Sequence, residues 1–394
     1  MRTGGQRAVE RTVENVKTRS LVAISAAVLM LAGCASPAPE PTATTLPPAT
    51  PTPTAAPDPL AGLTVEQRVG QVFMVGTTAT AAEAATLEAV RDRFVGGIFL
   101  SGRTHAGTAA TAAVVAQFTA LASPDRRLDV STDQEGGQVQ VLQGPGFSEI
   151  PSAVDQGTMD AASLQAGATT WARELASAGV TMNLAPVVDL IPDSAAASSN
   201  PPIGGFDREF GFDAPGIVEH ADAFRAGMTS AGVTSVIKHF PGLGAVTANT
   251  DDTAGVTDTT TNAQSDSVGI YRSEIASGAD TVMVSSAIYS QLDSAAPAVF
   301  SPTVVTGLLR DQLGFDGVVI TDDLSGATQV ASWSPADRAI LAIEAGCDIV
   351  LVSRTPTVAA EMIDAVVAKA YADPAFAKLV DAAARRVLAS KTAE

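Results

Sequence analysis

Eight short runs of apolar, largely β-branched residues recur between positions 71 and 352, separated by alanine-rich stretches. They cover residues 71–75, 96–100, 128–132, 181–190, 235–239, 281–285, 317–322 and 348–352. Between them, segments such as 81–93, 161–179, 216–231, 302–313 and 336–345 have the spacing of amphipathic helices. Strands that are apolar throughout are buried on both faces, and strands separated by helices pair in parallel. Eight such units predict an α/β chain folded as a (β/α)8 TIM barrel, a single domain over residues 60–394. An open doubly wound sheet commonly has fewer strands, about five to seven. No Gly-x-Gly-x-x-Gly follows the first run, which counts against a dinucleotide fold. With 46% of its 394 residues hydrophobic, the chain has enough apolar material for a core of that size.

The first 33 residues read as an address rather than as part of the fold. A basic, polar stretch precedes an apolar run over residues 21–32 that is too short for a stable bilayer span. It ends in Leu31-Ala32-Gly33-Cys34, which resembles the lipobox of bacterial lipoproteins. That resemblance implies cleavage before Cys34, lipid attachment to its sulfur and an extracytoplasmic, membrane-anchored protein. The alternative is an ordinary signal peptide in which Cys34 is incidental. Residues 34–59 form a Pro/Thr-rich tether, read either as a semi-rigid spacer or as a leader with no spacing role.

Charge narrows the partners. The net charge is −18, and loss of residues 1–33 removes five basic and two acidic residues, leaving −21. Such a surface repels nucleic acid, and aromatic residues make up only 5% of the chain. Cys347, in an apolar run, reads as a small buried hydrophobe. No disulfide framework and no Cys/His metal spacing is present, so neither metal nor cofactor is expected. The protein is expected to be monomeric.

Polar residues gather where the runs end: Asp133-Gln134-Glu135, Asp189, Lys238-His239 and Asp322-Asp323. In a TIM barrel the strand C-termini carry the active site. Asp322 follows Val318-Val319-Ile320-Thr321 and stands at a strand mouth, where a carboxylate can attack an anomeric carbon. Asp323, before Leu324-Ser325, reads as a helix N-cap. Each remaining cluster has a bland reading by itself: Glu135-Gly136-Gly137 as a tight turn, His239 as a structural histidine, Asp207-Arg208-Glu209 as an exposed loop with a local ion pair.

In this order the clusters are specific. The chain resembles the one-domain bacterial β-N-acetylglucosaminidase branch of family 3 glycoside hydrolases. The resemblance rests on Asp133-Gln134-Glu135-Gly136-Gly137, Asn183-Leu184-Ala185-Pro186-Val187-Val188-Asp189, Arg208 before Phe210-Gly211, Lys238-His239-Phe240-Pro241-Gly242, Thr321-Asp322-Asp323-Leu324 and Ala345-Gly346-Cys347-Asp348. It implies a retaining, β-N-acetylhexosaminidase-like exo-glycosidase acting on terminal β-linked N-acetylglucosamine, cell-wall fragments among its substrates, through a covalent intermediate on Asp322. A family 3 β-glycosidase of different sugar specificity is the alternative. Asp133, Arg208, Lys238 and His239 would hold the hydroxyls of the nonreducing sugar.

One loop departs from the pattern. The branch continues Lys-His-Phe-Pro-Gly with His-Gly and reaches an Asp-Ser-His tripeptide whose Asp and His supply the general acid/base. Here Leu243 replaces the first His, and Asn249-Thr250-Asp251 replaces the tripeptide. Met-x-Ala-His after the sixth strand becomes Met283-Val284-Ser285-Ser286. Three readings follow. Asp251 (or Asp252) is the acid/base, with burial or its neighbour raising its pKa. Alternatively the dyad is lost and the protein only binds sugars, or the loop is a solvated connector. An anionic Asp251 would repel phosphate, which makes water the expected acceptor.

Overall fold

The computed structural model describes residues 58–123 and 126–391. The leader of residues 1–33, Cys34 and the tether up to residue 57 lie outside the described residues. The described strands are β1 Phe73–Thr78, β2 Gly97–Ser101, β3 Asp129–Thr132, β4 Gln134–Gly136, β5 Val139–Gln140, β6 Met182–Asn183 and β7 Thr234–Ser235. They continue with β8 Ile237–Phe240, β9 Thr257–Asp258, β10 Thr281–Val284, β11 Ile288–Tyr289, β12 Asp293–Pro297, β13 Val318–Thr321 and β14 Val350–Val352. Six strands form one sheet in the order β14-β1-β2-β3-β6-β7, and three form another in the order β13-β10-β8. Every pairing within these two sheets is parallel. Isolated parallel bridges join Val187 to Lys238 and Ile320 to Ile349. The fold is therefore a TIM-barrel-like α/β arrangement, with a helix between most successive parallel strands.

Period-two side-chain alternation explains why the runs are apolar at every position. In β1, Phe73 and Val75 join the main core against the helices, whereas Met74 enters a second cluster. Phe99, Met182, Met283, Val318, Ile320 and Leu351 join Met74 there, each from a different strand except the two on β13. The helices between are capped as their sequences suggest. Asp160 accepts from Ser163 N–H before Ala161–Ser177, and Ser334 accepts from Asp337 N–H before Pro335–Ala345. Gly346, at φ 112°, ends the latter helix in the left-handed region and turns the chain toward β14.

Two expected elements differ. Only Met182–Asn183 of the 181–190 run is a strand; beyond it the chain carries Pro186, which has no N–H for a ladder. The segment expected as a helix over 302–313 has wider π turns across Thr303–Gln312, with Leu313 N–H reaching the Leu308 carbonyl. Cys347 is buried and unpaired, its thiol pushed up by burial. Among the described residues no helix is long and apolar enough to cross a membrane, and no group of His, Cys, Asp and Glu is arranged to hold a metal ion.

Candidate active site

Polar side chains at the C-terminal ends of the parallel strands meet in one cavity of about 360 Å³. It brings together all six residues singled out from sequence within the fold: Asp133, Arg208, Lys238, His239, Asp251 and Asp322. Phe99, Leu184, Met283 and Leu351 supply apolar lining from β2, from just past β6, and from β10 and β14.

Lys238 is 2% exposed, so its ammonium needs carboxylate partners. It has two, Asp133 Oδ1 at 2.7 Å and Glu135 Oε1 at 2.6 Å. Arg208 donates to both oxygens of Glu135 at 2.7 Å through Nε and Nη2, and from Nη1 to the Pro202 carbonyl at 2.8 Å. Burial works to raise the Glu135 pKa, but the two cations overcome it and hold the carboxyl at about 2. Burial likewise works against the Lys238 cation, and Asp133 and Glu135 outweigh it to raise its pKa. The local ion pair foreseen for the 207–209 loop is instead a long-range one, because Arg208 finds its carboxylate on β4.

His239 is fixed by Asp189, which accepts from the His239 backbone N–H at 3.1 Å and lies 2.7 Å from Nδ1. A carboxylate accepts only, so Nδ1 carries the proton and Nε2 is turned toward Arg208, 3.5 Å away. The same Asp189 oxygen receives Leu243 N–H at 2.8 Å and so ties the start of the 241–256 loop to this cluster.

Asp322 leaves β13 with its N–H bonded to the Val284 carbonyl, and its Oδ1 accepts from Asp323 N–H at 2.8 Å. Burial raises its pKa, and its neighbours His239 and Lys238 work against that rise. Asp251 lines the same cavity. Burial, then the Asp322 charge, pushes its carboxyl up to about 6, against the pull of Arg354. Asp252 does not line the cavity, and its side chain is 72% exposed.

The family profile described as the glycosyl hydrolase family 3 N terminal domain matches residues 64–390. The chain belongs to glycosyl hydrolase family 3. A beta-hexosaminidase of Vibrio cholerae is 33% identical over 276 residues, covering 68% of this chain and 78% of the relative. One from Nitrosospira multiformis is 33% identical over 296 residues, or 73% and 80% of the two chains. The crystal structure of a beta-N-acetylhexosaminidase from Beutenbergia cavernae is 61% identical, with a TM-score of 0.83 over 84% of this chain and 99% of that one. A family 3 beta-N-acetylglucosaminidase from Paenibacillus sp. str. FPU-7 is 30% identical, with a TM-score of 0.76 over 84% and 62%.

In this family 3 glycosidase the 241–256 loop is buried over residues 241–244 and at Val246, Thr250 and Val256, and exposed over residues 252–255. Leu243, Val246 and Thr250 are buried, and Asn200 Nδ2 donates to the Leu243 and Val246 carbonyls. Thr328 and Gln329 N–H groups bond to the Asp251 and Thr250 carbonyls, both at 3.0 Å. Asn249 Oδ1 accepts Asp251 N–H at 3.0 Å, which holds the loop's tip as an Asx turn. Asp323 also differs from expectation. It is no helix cap: its oxygens accept N–H groups of Ser325, Gly326 and Ser353, stapling the end of β13 to the end of β14.

Sequence reasoning gave no role to Asp189, Glu135 or Arg354. Asp189 had a usable signal, since it ends the apolar Val187-Val188 step as Asp322 ends its own strand. Arg354 had none. Its guanidinium lies 3.7 Å from Asp251 and 3.9 Å from Asp252, half-exposed at the cavity edge.

Proposed function

We propose that the protein is a retaining, exo-acting β-N-acetylhexosaminidase in which Asp322 is the nucleophile and Asp251 the acid/base. The observation that carries this reading is the meeting of two carboxyl groups in one cavity, Asp322 at the end of β13 and Asp251 on the loop beside Arg354. Burial holds Asp251 near pKa 6, protonated over much of the weakly acidic range; burial also raises the Asp322 pKa, and the Lys238 ammonium beside it works the other way, toward the carboxylate. A carboxylate attacks the anomeric carbon as the acid gives its proton to the leaving oxygen; water then enters with that same residue as base. Lys238, Asp133 and His239 bind the hydroxyls of the terminal sugar, and Arg208, its donors turned to Glu135 and Pro202, also braces Lys238 through the shared Glu135. The hexosaminidase specificity rests on the relatives at 33% and 61% identity. Exo action fits a cavity whose deep end is closed by the buried Lys238 and His239.

The two parallel sheets close, in this reading, into one (β/α)8 barrel forming a single domain over residues 60–394. The bridges of Val187 with Lys238 and Ile320 with Ile349 support closure on both sides. Residues 1–33 are the signal, and Cys34 and the tether hang a monomeric enzyme from the outer face of the cell membrane. Asp322→Ala tests the chemistry: turnover of activated aryl glycosides and natural sugars should both fall below about a hundredth of wild type. A variant that keeps more than that on either substrate overturns the assignment. A wild-type protein that releases no phenol from an aryl glycoside is a binder instead.

A further inference from the structure

Asp322, Asp133, Lys238 and His239 share the cavity with an exposed aromatic ring, Phe206, which is 38% exposed. Lys238 and His239 are buried, so the polar cluster is the deep end and Phe206 belongs to the mouth. A terminal sugar whose anomeric carbon reaches Asp322 sits among the buried polar groups, so the next ring of the oligosaccharide lies toward that mouth. We infer that Phe206 is the platform on which the first sugar ring beyond the scissile bond stacks. The inference rests on the glycosidase reading and adds to it a binding surface for the leaving-group pyranose of a β-linked oligosaccharide.

Three observations support a built platform. The ring ends a tight turn over Gly204–Phe206 in which Phe206 N–H bonds to the Ile203 carbonyl at 3.0 Å. Asn200 Oδ1 accepts from Ile203 and Gly204 N–H at 2.9 and 3.2 Å, and Arg208 holds the Pro202 carbonyl. Gln138, next to β5, donates to Asp207 at 3.2 Å, tying the turn to the β4-β5 hairpin. An aromatic side chain held by its backbone loses little freedom on binding, and its face suits the C–H face of a pyranose. Arg208, two residues on, belongs to the deep cluster, so the turn couples the platform to the first sugar's site.

The test compares two substrates that share a glycone. A β-linked N-acetylhexosamine disaccharide offers a second ring; the β-glycosyl fluoride of the same sugar offers none. In the full-length protein, Phe206→Ala should lower kcat/KM on the disaccharide about tenfold, through KM, since stacking is present before and during bond cleavage. The fluoride should change less than about twofold, and Phe206→Tyr should restore the disaccharide. Equal losses on both substrates would place Phe206 in the first sugar's site or in the fold and overturn the platform, as would an unchanged disaccharide rate. Wild-type protein inert to both substrates would instead sink the glycosidase reading, and the platform with it.

Discussion

Asp251 and Asp252 are identical in chemistry and adjacent in sequence, yet the fold gives them different environments. The Asx turn on Asn249 directs Asp251 into the cavity and leaves Asp252 in solvent. Burial and the Asp322 charge lift the Asp251 pKa to about 6. The sign of the pH effect follows from the roles. In the proposed roles Asp322 is charged and Asp251 protonated, so activity on poor leaving groups should fall as pH rises through about 6. Arg354 lowers the Asp251 pKa, so Arg354→Gln should move that basic limb to higher pH in a kcat/KM profile. Asp251→Ala should cost substrates with poor leaving groups about 10²–10⁴-fold more than aryl glycosides, and azide should partly restore turnover. Asp252→Ala should do neither. Equal losses for both leaving-group classes in Asp251→Ala, without rescue, would remove it from the acid/base role.

At the scale of the element, the 241–256 loop carries the proposed acid and is held to its neighbours at several points. Gly244 shows how tightly. A Cβ there would stand 1.8 Å from the Leu190 carbonyl oxygen, a backbone atom that cannot swing away. Gly244→Ala should therefore displace the loop while leaving β13 and Asp322 in place. The expected outcome is a lower melting temperature together with a larger kcat loss on poor leaving groups than on aryl glycosides. Equal kcat on both classes would mean that Asp251 does not depend on the loop's position. The sequence announced this loop as irregular through its Gly and Thr content, but the contacts that hold it were not legible. Asn200 lies 43 residues from Leu243, and nothing in the local pattern pairs them. Asp323 failed for a related reason. Its oxygens accept N–H groups of the turn that follows, as a cap would, but no helix begins there and Ser353, 30 residues on, also donates to it.

Across the whole molecule, what could be read in advance is what repeats. Each parallel strand is packed on both faces, so its apolar run survives in the sequence, and eight runs identified a barrel-like α/β fold. The ion-pair cluster does not repeat: Lys238 meets Asp133 across 105 residues and Arg208 meets Glu135 across 73. Only the order of motifs pointed to it. The same long view bears on the proposed anchor. Without residues 1–33 the chain has a net charge of −21 and is repelled by anionic headgroups, so in the proposed anchor acyl chains on Cys34 supply nearly all of the membrane affinity. Cys34→Ser should shift the protein from the membrane fraction to the medium while kcat/KM on an aryl glycoside stays unchanged, because the family match begins only at residue 64. Salt separates the anchor from charge attraction. Wild-type protein held by acyl chains should remain with membranes at 1 M salt, where the Debye length is about 3 Å and surface attraction is screened. A Cys34→Ser protein that still sediments with membranes would mean that another part of the chain holds it there.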